Sequence, residues 1–339
     1  MQFASRSSAV RSGIQASLSL MSQRAISREL GAQGIIGLSR QEVHSPRAAH
    51  GIRALVTSES IPSTFEHVLA AVPMSNEQNV APVTEVVDPA EKWKKITVEM
   101  WRDAVYTNQT YFGDLIQDTN EFVKNIAEQI KLNGHRVSMV EVGCGTGEFV
   151  RANEHEFRTA VGVDFNQEFI AFCKTNAPAR KVGSTQYFQG DACELNDLLK
   201  QKFPKCAARG SRGVEFWDDS RVVACVGNTI GIIPEELRPR VYEEMAELAG
   251  NDGVLVMVYW NARWFGDACL NFYHANPNLC GKFEGENVDF KNTTLKTPMG
   301  YRTKWTGVDE ARALMEDLCM EIISLRERGK GIFVAARRF

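Results

Sequence analysis

Three short runs in the 339-residue chain hold side chains whose type and spacing suit chemistry. The first is Glu141-Val142-Gly143-Cys144-Gly145-Thr146-Gly147. Glycines at alternate positions permit a tight turn and let backbone amides come close to a ligand. The pattern is G-x-G-x-G; the G-x-G-x-x-G of dinucleotide binders would require glycine at position 148, where Glu148 stands. A carboxylate at that helix start repels a pyrophosphate, so the expected ligand carries no phosphates. Glu141, just before the turn, suits an ammonium group, met directly or through water. The second run ends in Asp164-Phe165, and a carboxylate there accepts hydrogen bonds from ribose hydroxyls. The third ends in Gln189-Gly190-Asp191-Ala192. Asp191 can accept from the exocyclic amine of an adenine, and Ala192 leaves room for the ring.

These residues need elements to hold them. Strand-like runs at 137–143, 160–165, 184–191, 222–227 and 254–260 alternate with helix-like runs, among them 166–177, 193–203 and 234–250. A helical lead-in is expected over 93–132, where Leu115, Phe122, Val123, Ile126 and Ile130 recur at helical spacing. A helix at 308–318 and two further strands close the chain. The reading is an α/β, Rossmann-like, doubly wound, seven-stranded, mostly parallel sheet, with the helical lead-in and a lid insertion (261–307) after strand five. Ligands in such sheets lie beyond the carboxyl ends of the strands, which is where all three runs fall.

An adenosine with a cationic, amino-acid-like tail and no phosphate is S-adenosylmethionine. EVGCGTG, GVDF and FQGDA resemble the first three motifs of class I S-adenosylmethionine-dependent methyltransferases, and the resemblance spans about residues 95–339. It implies that cofactor, no metal, and contacts from Glu141, Gly143, Cys144, Gly145, Gly147, Asp164, Phe165, Asp191 and Ala192. Asn228 and Thr229, at the end of strand four, are expected to join them.

The run Gly227-Asn228-Thr229-Ile230-Gly231 stands where methyltransferases of bases and amide nitrogens carry an (N/D)-P-P-(Y/F) motif. It looks more like the segment of small-molecule enzymes acting on amines, amino acids and thioethers. The expected activity is therefore methyl transfer to nitrogen or sulfur of a small metabolite, such as an amino acid, an amine or a methylthio hydroxy acid. Methylation of a quinone or cofactor precursor in mitochondria is one alternative; a methyltransferase-fold assembly factor without catalysis is another. Within the aromatic-rich insertion and its approach, Tyr259 and His274 are the catalytic candidates, His274 as a base. Arg263 would bind a substrate carboxylate. In the lead-in, Trp101, Tyr106, Tyr111 and Phe112 could close over the cofactor, Tyr106 and Phe112 being the choices for contact.

Charge divides the chain. Overall it is 44% hydrophobic and 24% charged, with a net charge of −3, which excludes a disordered or nucleic-acid-coating protein. Residues 1–58 hold seven arginines, no lysine and two acids, a net of +5 that leaves −8 for the rest. Arginine- and serine-rich and poor in acids, this stretch reads as a disordered, transit-like arm directed to the mitochondrion, with a plastid as second choice. Prolines mark 59–92 as a linker, and 93–339 as the methyltransferase domain. No run approaches a membrane span, and the acidic body argues against a nucleic-acid partner. The eight cysteines form no C-x-x-C pair and read as structural thiols. No oligomeric state is specified.

Overall fold

In the computed structural model, residues 89–107, 111–177, 184–204 and 216–338 are described. The basic arm and the linker as far as residue 88 lie outside them. Five strands run parallel: β1 (Val137–Val142), β2 (Thr159–Asp164), β3 (Ser184–Gln189), β4 (Ser220–Cys225) and β5 (Val254–Trp260). β1, β2 and β5 are buried along their whole length, as continuous apolar runs covered on both faces must be. The insertion supplies three short strands, β6 (Val288–Asp289), β7 (Thr294–Lys296) and β8 (Arg302–Lys304), in a sheet of its own. A final hairpin, β9 (Met320–Arg328) and β10 (Gly331–Arg338), completes the main sheet, with β10 antiparallel to both β5 and β9. The seven-stranded order is β3-β2-β1-β4-β5-β10-β9, so the order reverses beside β1 and the crevice expected at that reversal lies at the end of β1.

Helices cover both faces. On one side lie α1 (Pro89–Lys94), α2 (Val98–Arg102), α3 (Gly113–Leu132), α4 (Glu148–Asn153) and α5 (Gln167–Thr175). On the other lie α6 (Leu195–Lys202), α7 (Arg238–Ala249) and α8 (Val308–Asp317). α3 buries Leu115, Phe122, Val123, Ile126 and Ile130, the stripe its sequence spacing predicts. Each such side chain contributes about 1.5–3 kcal/mol when fully removed from water. The lead-in is not one helix, however. α1 and α2 are short, and a π-helical turn at Asp103–Thr107 follows them.

Between β5 and α8 the chain builds a small aromatic core. Phe265, Phe272, Tyr273, Tyr301 and Trp305 are buried, and the Trp305 indole N–H donates to Tyr273 Oη at 2.8 Å. The two ends of the insertion meet: Asn261 bridges Thr306, the Thr306 N–H donates to Trp260 O at 3.0 Å, and the Ala262 N–H donates to Thr306 O at 3.0 Å.

Asn228, expected to touch the cofactor, instead fastens this insertion to the sheet. It occupies the left-handed region at φ 62° and is buried. Its Nδ2 donates to Lys304 O at 3.0 Å and Thr303 Oγ1 at 3.2 Å, and its Oδ1 accepts from the Trp260 N–H at 3.2 Å. The short polar side chain is used up on β8 and the end of β5. Asn228→Gly, which keeps the backbone geometry but deletes these bonds, should cost about 2–3 kcal/mol in urea unfolding. An unchanged unfolding midpoint would show that the insertion is held elsewhere.

Candidate functional site

A cleft of about 520 Å³ opens at the carboxyl ends of β1 to β4. Of the residues expected from sequence, Gly143, Gly145, Asp164, Phe165, Asp191, Ala192 and Thr229 line it. The turn after β1 is shaped by glycines at positive φ, 69° at Gly143 and 50° at Gly145. A Cβ on Gly143 would lie 2.1 Å from the Thr229 methyl, and one on Gly145 would lie 3.4 Å from the Trp101 indole nitrogen. A side chain at Gly143 would therefore strike the wall of the cleft, and at Gly145 the left-handed backbone is what favours glycine.

The turn is fixed from the neighbouring strand. The Gly143 and Cys144 N–H groups donate to Val163 O at 2.8 and 3.0 Å. The Gly145 N–H donates to Asp164 Oδ2 at 2.8 Å, while Asp164 Oδ1 accepts from the Asn166 N–H at 2.8 Å. Burial pushes the Asp164 carboxyl up to about 6, against the lowering effect of these two bonds. Asp191 is exposed and accepts from the Cys193 N–H at 2.9 Å. Glu141 is only 3% exposed, and its Oε2 has no hydrogen-bond partner. Burial, reinforced by the neighbouring Cys173, Glu148 and Asp164, holds its pKa well above the usual carboxylate range.

Other expectations are displaced. Cys144 is buried with Sγ against β2, 2.8 Å from where a Gly162 Cβ would stand. Gly147 is the left-handed cap of α4 and backs onto Cys173 and Tyr187. Both shape the turn and do not line the cleft. Tyr259 points into the sheet's other core, fully buried, and shares a 3.1 Å hydrogen bond with Tyr242 Oη. His274 is exposed on the insertion and stacks on Phe283, with ring centroids 4.3 Å apart. Neither of these two lines the cleft. Arg263 pairs with Glu327 on the surface at 3.2 Å. Phe112 stacks on Trp260 at 4.4 Å within the core, and Tyr111 donates to Asp267 Oδ2 at 2.8 Å. The Tyr106 side chain lies outside the described residues.

No residue of 261–307 lines the cleft. The cover is the lead-in: Trp93, Lys94 and Trp101 form one wall, and Ile232, Ile233, Pro234 and Leu237 form the other. Trp93 is buried, and its indole N–H has no partner. The run Ile232-Ile233-Pro234 was legible only as an apolar continuation of the strand-four end. The contribution of Trp93 left no sequence signal beyond the presence of an aromatic in the lead-in.

Residues 140–211 match the family model of a methyltransferase domain, and that stretch contains the glycine turn, Asp164 and Asp191. Residues 140–211 thus carry a methyltransferase domain, set in a seven-stranded sheet whose order reverses at β1. Among curated proteins, none matches it in sequence. Solved structures similar to it include magnesium protoporphyrin IX methyltransferase from Synechocystis, at 14% identity and a TM-score of 0.46, covering 71% of this chain and 93% of that one. A methyltransferase from Anabaena variabilis matches at 11% identity and 0.45, covering 77% of this chain and 100% of that one. One from Clostridium acetobutylicum matches at 10% and 0.45, covering 71% and 97%.

The cofactor of this methyltransferase class is S-adenosylmethionine, and the residues present fit it. The unpartnered, buried Glu141 oxygen suits a cation or the water that would bridge to it. At Gly143 the turn has no room for a Cβ, which would strike the Thr229 methyl. Among the described residues no cluster could hold a metal ion.

Asp164 gives the methyltransferase a pH signature of two opposite signs. Its raised pKa means that the folded protein binds the proton more tightly than the unfolded one. Stability of the free protein should therefore fall as pH rises from about 4 to about 6. Binding that requires the ionised carboxylate moves the other way. Calorimetry with S-adenosylhomocysteine should show affinity falling about tenfold between pH 7 and pH 5; a flat profile would remove the ionised Asp164 from the binding site.

Proposed function

We propose that the enzyme methylates a nitrogen or sulfur atom of a small metabolite: an amino acid, an amine or a methylthio hydroxy acid. The observation that carries this is the aromatic wall formed by Trp93, Trp101, Phe165 and Phe169 around a cleft of about 520 Å³. When bound, S-adenosylmethionine supplies an electrophilic methyl group on a sulfonium. An amine or a thioether becomes a cation as it gains that methyl, and aromatic faces attract cations through their quadrupoles. A cleft of this volume, shared between cofactor and acceptor, suits an acceptor of metabolite size.

The roles of the chain's own residues follow from their places. Asp164 accepts hydrogen bonds from the ribose hydroxyls, and Asp191 from the adenine amine. Ala192 and Leu237 flank the slot in which a flat ring fits. Glu141 answers the ammonium of the amino-acid tail. Trp93 and Trp101 exclude water and orient the acceptor.

Incubating the purified enzyme with methyl-labelled cofactor and pools of amines, amino acids and thioethers should label one of these pools. Label entering only RNA, protein or quinone acceptors would overturn the reading. The arm of residues 1–58 is proposed to direct the enzyme to the mitochondrion. Its deletion should move a fluorescent fusion out of that organelle while leaving affinity for S-adenosylhomocysteine unchanged; a fusion that stays in place would sink the idea.

A further inference from the structure

One side-chain amide grips the cover over the cleft at two points. Asn166, two residues beyond Asp164, is 2% exposed and uses both ends of its side chain. Its Oδ1 accepts from the Glu168 and Phe169 N–H groups at 2.9 and 3.2 Å, capping α5. Its Nδ2 donates to Trp93 O and Ile96 O, both at 2.9 Å, so the lead-in backbone is gripped at the end of α1 and just before α2. Its own N–H donates to Asp164. Beside it, Glu168 Oε1 accepts from the Val98 N–H at 2.9 Å. The backbone so fixed carries Trp93 and Trp101, whose rings meet edge to face at 5.8 Å over the cleft.

We infer that Asn166 is a positioning residue for cofactor retention: by clamping the lead-in to the turn after β2, it holds Trp93 and Trp101 closed over bound cofactor. The inference rests on the cofactor occupying this cleft, as set out above. A capping asparagine needs only its oxygen. Here the amide nitrogen is engaged as well, and on two carbonyls that belong to the cover. Serine and aspartate retain the cap but cannot supply the two donors. They therefore separate clamp from cap.

The test uses the full chain, with S-adenosylhomocysteine as probe. Asn166→Ser and Asn166→Asp should each raise Kd at least tenfold, chiefly through faster dissociation, with tryptophan emission shifted to the red. Far-ultraviolet circular dichroism should stay as in the wild type. Glu168→Ala, which touches the lead-in but not Asp164, should shift Kd in the same direction by a smaller factor. Kd within twofold of wild type in folded Asn166→Ser overturns the inference. So does an Asn166 effect with none in Glu168→Ala, because the change would then run through Asp164. If the Asn166 variants do not fold, hydrogen exchange on the wild type decides: the Ile96 and Val98 amides should gain protection on binding, and unchanged protection overturns the clamp. A wild-type enzyme that does not bind the probe would instead sink the cofactor reading itself.

Discussion

The glycine turn after β1 is held by the strand beside it. Val163 O accepts from two of its amides and the Asp164 carboxylate from a third, so the conformation of the turn depends on β1 and β2 ending level. Their parallel register, Val142 opposite Val163, provides that. Parallel pairing needs crossover helices, and these cover both faces and favour apolar residues along the central strands. The polar residues of the site are accordingly confined to the strand tips. Asp164 serves twice, as a wall of the cleft and as an anchor of the turn, and burial is the reason its carboxyl titrates near neutrality.

Much of this was legible from the amino-acid order. The alternation of elements, the acid after each of β2 and β3, and the glycine spacing are local, short-range signals, and each depends on backbone rules that tertiary context rarely overrides. The seven strands follow from them. What the order could not disclose was direction. Tyr259 is aromatic and sits at a strand end, yet its parity on β5 aims it at α7. Asn228 sits at the tip of β4, yet its amide finds partners in β8, about seventy-five residues away. Cys144 and Gly147 belong to the motif by position, but their outward faces meet the core. Side-chain partners distant in sequence decide these cases, and no local pattern encodes them.

Of the two segments expected to cover the site, the lead-in is the one that contributes residues to the wall of the cleft. The insertion is long and rich in aromatics, the composition of a lid, but also that of a small core that must bury itself. Its rings turn inward and pack on Phe112 and Trp260. The first part of the lead-in sets Trp93 and Trp101 on the wall of the cleft, with Trp93 packed into the core as well. The two still meet: Tyr301 rests against Trp93 with centroids 5.7 Å apart, so the insertion backs the wall it does not form.

The way the insertion leaves and rejoins the sheet has a wider consequence. Its ends are zipped at Asn261 and Thr306, so its closure is settled at the neck, and the strand and helix on either side do not register its length. Asn228 and the rings on Trp260 add further ties, so the segment closes at its own neck yet shares the core of the sheet. Its contact with Trp93 gives a change inside the insertion a route to the cleft from behind, with no lining residue altered.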